Sequence, residues 1–393
     1  MNKVQFMLNV TDVVIKLNPA CKQMSFDDLL LMSDDEVKSK YEPAYNSEYT
    51  STRTYMVDNI SKHFMSNISV NHLINKLRQF NNTYADLFEC DRKSLYRTFH
   101  IPKKSGGLRR IDAPVDELMN ALRNLKTIFE NDFRAMYHTS AFAYVNKRSV
   151  VDAVKRHQVN NSKWFAKFDL SNFFGSITHE YAMKMLSMIF PFSQVVKYEE
   201  GYNELSKALS LAFLNGGLPQ GTPISPLITN LIMIPVDFEL FNKFNDYNNQ
   251  SYVYTRYADD FIISSKYTFD YKQIENEIVE CLRKFEAPFN LNKDKTRYGS
   301  SSGSNWNLGV MLNKDNNITI GHKAKRVLKA TLNSYILDNL HNKPWDINDV
   351  QVLNGNINWY RMVERDGVNS IINKMNEKYK VNVCEMILND LKG

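Results

Sequence analysis

Cysteine is scarce in this chain. Four residues in 393, Cys21, Cys90, Cys281 and Cys384, are too few and too scattered for a disulfide framework or a zinc knuckle. That usage points to a reducing cytoplasm. Long apolar runs are also missing: nothing approaches the ~18 apolar residues of a membrane span, and Met1 to Cys21 alternates apolar side chains with Asn, Thr, Asp and Lys. Neither a signal peptide nor a membrane segment is therefore expected. No internal repeat or low-complexity tract occurs, and no strong excess of one charge. The formal charge of +6 and pI near 8.8 lean mildly basic, which suits a nucleic-acid partner without requiring one. The chain does have ordinary hydrophobic and charged fractions, 43% and 23%, and the length for two or three lobes around a sizeable core.

One stretch organises the rest. Tyr252-Val253-Tyr254-Thr255-Arg256 and Phe261-Ile262-Ile263-Ser264-Ser265 are β-prone runs meeting at Tyr257-Ala258-Asp259-Asp260, which reads as a hairpin with two carboxylates at its tip. Adjacent aspartates repel and lose solvation there, so a divalent cation would neutralise them, and oxygen-only ligands suit Mg²⁺. Taken alone, Asp-Asp is also an ordinary solvated turn.

Elsewhere the sequence alternates helical stripes with punctuated loops. Residues 1–95 read as helical, with Ser25 and Ser33 as caps, capping-box spacing from Ser33 to Glu36, a connector at 41–54, and Leu73, Ile74, Leu77 and Phe80 spaced for one helix face. His100 to Pro114 reads as a hairpin turning at Ser105-Gly106-Gly107. Lys103, Lys104, Arg109 and Arg110 crowd its arms, suited to a triphosphate or template backbone, or simply solvated. A helical stripe follows Pro114, through Leu118, Met119, Leu122, Leu125, Phe129 and Phe133. Gly221 permits close backbone approach, Pro226 opens a helix, and Pro235 should kink or end it. Tyr271 to Phe285 reads as a helix. From Gly321 on, Lys323, Lys325, Arg326 and Lys329 accompany an apolar stripe in a helical, basic C-terminal region.

In this order, over roughly residues 95–365, these segments resemble the reverse transcriptases. Tyr257-Ala258-Asp259-Asp260 matches their catalytic box, and Lys167-Phe168-Asp169-Leu170-Ser171-Asn172-Phe173-Phe174 matches their strand-to-helix box. The resemblance implies three aspartates, Asp169, Asp259 and Asp260, holding two Mg²⁺ ions, with the Leu170 carbonyl as a further ligand. It makes Arg109 or Arg110 the triphosphate grip and Phe174 the steric gate against a ribose 2′-hydroxyl, leaving Phe173 to the core. Gln220, in Leu218-Pro219-Gln220-Gly221, would contact the nucleotide. Lys295, in Leu291-Asn292-Lys293-Asp294-Lys295-Thr296, would be an acid or counter-charge for the leaving pyrophosphate, or an exposed loop lysine. Trp306 to Leu312 resembles a primer-grip hairpin, and Leu353 to Arg361 a thumb segment.

The implied fold is an α+β right hand: a helical N-terminal extension at 1–95, fingers and an antiparallel palm at 96–320, and a helical thumb at 321–393. The implied function is RNA-directed DNA polymerisation from dNTPs, with an RNA template or structured non-coding RNA as partner and DNA as product. Retron enzymes carry Asn-Ala-x-x-His where this chain has Asp152-Ala153-Val154-Lys155-Arg156-His157, and Val-Thr-Gly in the primer-grip region where it has none. These departures favour the defence-associated or abortive-infection-like groups and an antiphage role. A retron enzyme making RNA-linked single-stranded DNA comes second, and a vestigial polymerase serving as an RNA-binding scaffold third. His157 reads as a polar surface residue. No stretch of these 393 residues reads as an endonuclease, ribonuclease H or maturase DNA-binding domain.

Overall fold

The computed structural model describes residues 69–102, 106–245, 252–300, 305–307 and 309–392. The expected caps Ser25 and Ser33, the connector at 41–54, and Lys103 and Lys104 lie outside them. The strands are β1 (Tyr96–Pro102), β2 (Leu108–Pro114), β3 (Trp164–Asp169), β4 (Val253–Tyr257), β5 (Asp260–Ser265), β6 (Arg297–Ser300), β7 (Asn305–Asn307), β8 (Val310–Leu312) and β9 (Ile318–Thr319). The longer helices run α1 (Val70–Thr83), α2 (Asp116–Thr127), α3 (Val150–Val159), α4 (His179–Leu186), α5 (Glu199–Ser210), α6 (Ser225–Ile232), α7 (Ile234–Asn245), α8 (Tyr271–Lys284), α9 (Gly321–Leu340), α10 (Ile347–Val363), α11 (Arg365–Tyr379) and α12 (Val383–Asp390). Two compact units are built from interleaved segments. One comprises Met1–Thr139, Asn172–Phe238 and Phe285–Phe289; the other comprises Ser140–Ser171, Glu239–Lys284 and Asn290–Gly393.

In the first unit, α1 starts at Ser69, whose hydroxyl accepts from the His72 amide, and buries Leu73, Ile74, Leu77 and Phe80 as their spacing predicts. Strands β1 and β2 form an antiparallel ribbon in unbroken register from Tyr96↔Pro114 to Pro102↔Leu108. Behind it, the α2 stripe continues past the helix end into an aromatic cluster, Phe129, Phe133 and Phe192, with ring centroids 4.6–5.5 Å apart. The helical run through Leu231 and Ile232 does end, because Pro235 occupies the second position of a new helix, α7, where its missing N–H costs nothing.

The second unit carries an antiparallel sheet in the order β4-β5-β3-β6 and a small sheet in the order β7-β8-β9. Alternation along β3 sends Phe165, Lys167 and Asp169 to one face and Trp164, Ala166 and Phe168 to the other. The first of these faces packs on α3, whose N-terminus is a capping box between Ser149 and Asp152. A continuous core then runs from Val150 and Val154 through Phe165, Ile262 and Trp306 to Leu332, Ile336, Leu353, Ile357 and Ile372. The α+β class, the antiparallel palm sheet and the helical C-terminal region all match the sequence expectation. Among the described residues, no helix is long and apolar enough to cross a membrane.

Candidate active site

The β4–β5 hairpin turns through Ala258 and Asp259, with Ala258 in the left-handed region at φ +58°. Asp260 is the first residue of β5, not part of the turn, and stands directly across from Asp169, the last residue of β3. The backbone fixes this corner from several sides. The Leu170 amide donates to the Asp259 carbonyl at 3.0 Å, and the Asn292 amide to the Asp169 carbonyl at 2.8 Å. Arg256, fully buried, reaches from within β4 to donate to the Ala258 carbonyl at 3.1 Å.

Like charges at directly opposed strand positions repel, and here they are also desolvated. Two lysines answer. Lys167 donates to Asp260 Oδ2 at 2.8 Å, and Lys295 forks onto both Asp169 oxygens at 2.9 and 3.1 Å. Lys295 rides on the short turn Lys293–Lys295, and its bond to Asp169 holds its ammonium above the usual lysine range. Asp259 has no such partner among the described residues. Burial first, then the neighbouring charge of Asp260, pushes its carboxyl up to about 6. Burial also raises Asp260, opposed by Lys167.

Three carboxylates against two ammonium groups leave a site short of positive charge, with an oxygen-only donor set. Those are the conditions a hard divalent cation satisfies. Among the described residues no three acidic, histidine or cysteine side chains are grouped to hold a metal ion, and Asp169 and Asp260 are each in an ion pair with a lysine. An oxygen-only set of this kind suits a divalent cation once the ammonium groups give way.

Two supporting residues escaped the sequence reading. Lys167 was legible in principle: it is a cation inside an apolar strand, two residues before Asp169 and therefore on the same face. His157 was misread. It is wholly buried, with its ring nitrogens 2.7 Å from Ser264 Oγ and 2.7 Å from Thr255 Oγ1, beneath the strands that carry the aspartates. Its ring also lies 4.7 Å from that of Trp306. Burial holds the imidazole down to about 3, so it is neutral.

Arg109, Arg110, Phe174 and Gln220 belong to the first unit. Strand alternation puts Arg109 and Arg110 on opposite faces of the ribbon. Arg109 shares its face with Phe99, Ile101 and Ile111. Arg110 shares its face with Thr98 and Asp112, and its Nε lies 2.9 and 3.1 Å from the Asp112 carboxylate oxygens. Asp112 also donates its amide to the Gln220 carbonyl at 2.8 Å. A Cβ on Gly221, whose φ is +122°, would stand 2.9 Å from the Asp112 carbonyl oxygen. Only glycine fits there, so the Pro-Gln-Gly loop is fastened to the ribbon at the residue that orients Arg110. Phe173 is buried against Phe289 at 5.1 Å. Phe174 is half-buried, and its carbonyl accepts from the Leu218 amide at 3.0 Å.

A family profile described as reverse transcriptase (RNA-dependent DNA polymerase) matches residues 101–320, more than half of the chain. The retron Ec73 reverse transcriptase of Escherichia coli is 28% identical over 257 residues, covering 63% of this chain and 79% of its own. The retron Ec83 enzyme of the same species is 30% identical over 268 residues, covering 66% and 81%. Among solved structures, an apo telomerase from Candida tropicalis aligns with 99% of this chain and 79% of its own at 12% identity. Its TM-score of 0.47 is too low to bear on function. Likeness across about four fifths of two retron enzymes outweighs the local departures at 152–157 and in the primer-grip segment, and draws the chain toward the retron type. The chain belongs to the reverse transcriptase family, the RNA-directed DNA polymerases.

Proposed function

We propose that this polymerase copies a structured non-coding RNA partner into DNA, using two Mg²⁺ ions held by Asp169, Asp259 and Asp260. The observation that supports it is the opposed pair Asp169 and Asp260 beside Asp259, which has no ion-pair partner among the described residues: one buried and two half-buried carboxylates short of counter-charge. When bound, the ions lower the pKa of the primer 3′-hydroxyl and steady the triphosphate and departing pyrophosphate. The 3′-oxygen bonds to the α-phosphorus as the bond to pyrophosphate breaks.

The chain's own residues position and neutralise. Arg110, pre-aimed by Asp112, grips the triphosphate and Gln220 the nucleotide, while the Phe174 ring excludes a 2′-hydroxyl. For Asp169 and Asp260 to hold cations, Lys295 and Lys167 would have to release them, and Lys295 would then be free to serve as acid or counter-charge for the leaving pyrophosphate. The domain organisation that goes with this reading is an extension at 1–95, fingers and palm at 96–320 and a thumb at 321–393, working in the cytoplasm in antiphage defence.

A second reading, RNA-linked single-stranded DNA of the retron kind, is supported by the two retron relatives. Sequencing the nucleic acid that copurifies with the protein, before and after adding dNTPs and Mg²⁺, tests both. New DNA complementary to a bound RNA and absent under EDTA is expected. A covalent RNA–DNA junction selects the retron product. Bound RNA with no DNA made on it, or on any supplied template, turns the chain into a scaffold.

A further inference from the structure

A cleft of about 580 Å³ opens on the second unit between the start of α8 and residues 293–298, outside the carboxylate corner. Tyr271, Lys272, Glu275 and Asn276 line it from the helix, and Lys293 and Tyr298 from the opposite wall. Its aromatic residues form a row. Tyr271 lies on Tyr298 with centroids 5.2 Å apart and planes at 19°, and Tyr298 on Trp164 at 5.7 Å and 22°. Tyr298 is locked in place: the Phe269 amide donates to its hydroxyl at 3.1 Å, and the Phe269 ring meets it edge-on. The row ends at Tyr271, half-exposed at the cleft.

Stacked aromatics are usually core. Here they border an open cleft flanked by two exposed lysines, and neither ammonium has an ion-pair partner among the described residues. Flat rings with unpaired cations beside them are the elements with which proteins hold single-stranded nucleic acid: bases extend the stack and lysines track the backbone. Charge decides against a free nucleotide. Lys272 and Lys293 less Glu275 leave one net positive charge, too little for a triphosphate but suited to a strand with one charge per nucleotide. Asn276 adds a donor and an acceptor of the kind a base edge or a 2′-hydroxyl takes.

We infer that this cleft is an accessory anchor for one unpaired nucleotide of the enzyme's RNA, stacked on Tyr271 with its flanking phosphates on Lys272 and Lys293. The anchor would share a wall with the polymerase site. Lys293 and Thr296 flank Lys295 on the same short turn, so RNA held in the cleft would bear on the segment that places Lys295 over Asp169.

The test uses the full chain without Mg²⁺ or dNTPs, so that it does not depend on the metal assignment, and an unstructured RNA oligonucleotide carrying one 4-thiouridine. Cross-linking followed by peptide mapping should mark the segments holding Tyr271 and Tyr298. RNA affinity should fall about tenfold or more in Tyr271→Ala and return in Tyr271→Phe. Because Tyr271→Ala could loosen the ring packing, the double variant Lys272→Gln/Lys293→Gln, which alters two exposed ammonium groups with no ion-pair partner among the described residues, provides the second arm. Its slope of log affinity against log salt should be shallower by about 1.4 for two lost phosphate contacts, while extension of a preformed primer–template duplex is unchanged. Cross-links confined elsewhere, or an unaltered slope, overturn the anchor. Equal weakening toward the matching DNA oligonucleotide overturns the assignment to RNA, and a parallel loss of primer extension returns the cleft to the polymerase site.

Discussion

Asp259 and Asp260 are neighbours in sequence, and so are Arg109 and Arg110, yet the fold treats the two pairs in opposite ways. The arginines lie within a strand, where successive side chains point to opposite faces, so one is oriented by Asp112 and the other is left among apolar side chains. The aspartates straddle the end of a turn. Asp259 in the corner and Asp260 at the head of β5 stay within each other's field, and Asp169 across the sheet adds to it. A corner concentrates like charge where a strand disperses it. Phe173 and Phe174 form a third adjacent pair, split at a short helical turn into one buried ring and one half-exposed ring.

The largest expected effect breaks the corner pair. Asp259→Asn should cut DNA synthesis by about 10²–10³-fold or more. Its melting temperature should hold or rise, since the lost charge is one that burial already disfavours. A primer-extension assay beside a thermal melt checks this, and wild-type synthesis by the variant would remove Asp259 from the site.

The arginines sharpen the contrast. Arg110→Ala should lower kcat/KM for dNTPs by about 10- to 100-fold, the loss of one charge-assisted contact. Arg109→Ala should change it by less than about threefold, being on the other face. Equal losses in steady-state kinetics would mean that strand alternation does not decide which arginine meets the phosphates.

Next come the phenylalanines. Phe174→Ala should raise the ratio of ribonucleotide to deoxynucleotide kcat/KM about tenfold, because the ring's bulk excludes the extra hydroxyl. Phe173→Ala should leave that ratio alone and cost about 3–5 kcal/mol of stability. Competition between rNTPs and dNTPs, with urea melts of both variants, separates the roles; a ratio that moves in Phe173→Ala alone shifts the register by one.

The smallest effect concerns the support beneath the corner. Unfolded, His157 takes up a proton near 6.5, whereas folded it stays neutral down to about 3. The unfolded chain therefore binds more protons between those values. This contribution to stability is whole above about pH 6.5 and is lost as pH falls, by at most about 1.4 kcal/mol per pH unit. Urea unfolding at several pH values should show a shallower acid slope in His157→Gln; an identical slope would mean that the imidazole titrates the same way folded and unfolded.

Much of this was written in one dimension. Alternating apolar residues around Asp259 and Asp260 specify a hairpin, the stripes of α1 and α2 specify buried faces, and Pro235 specifies a break, because these depend on local period and backbone geometry. The order of the boxes was enough to name the family. Residues distant in sequence became partners only through the fold. Lys295 meets Asp169 across 126 positions, Lys167 meets Asp260 across 93, and His157 sits between Thr255 and Ser264. That Arg110 rather than Arg109 stands beside Asp112 likewise depends on the register of the ribbon. Sequence determined which groups the chain carries and the local shape of each segment. Tertiary structure decided which charges are buried together and which cation answers which carboxylate, because desolvation and Coulomb energy depend on distance through space.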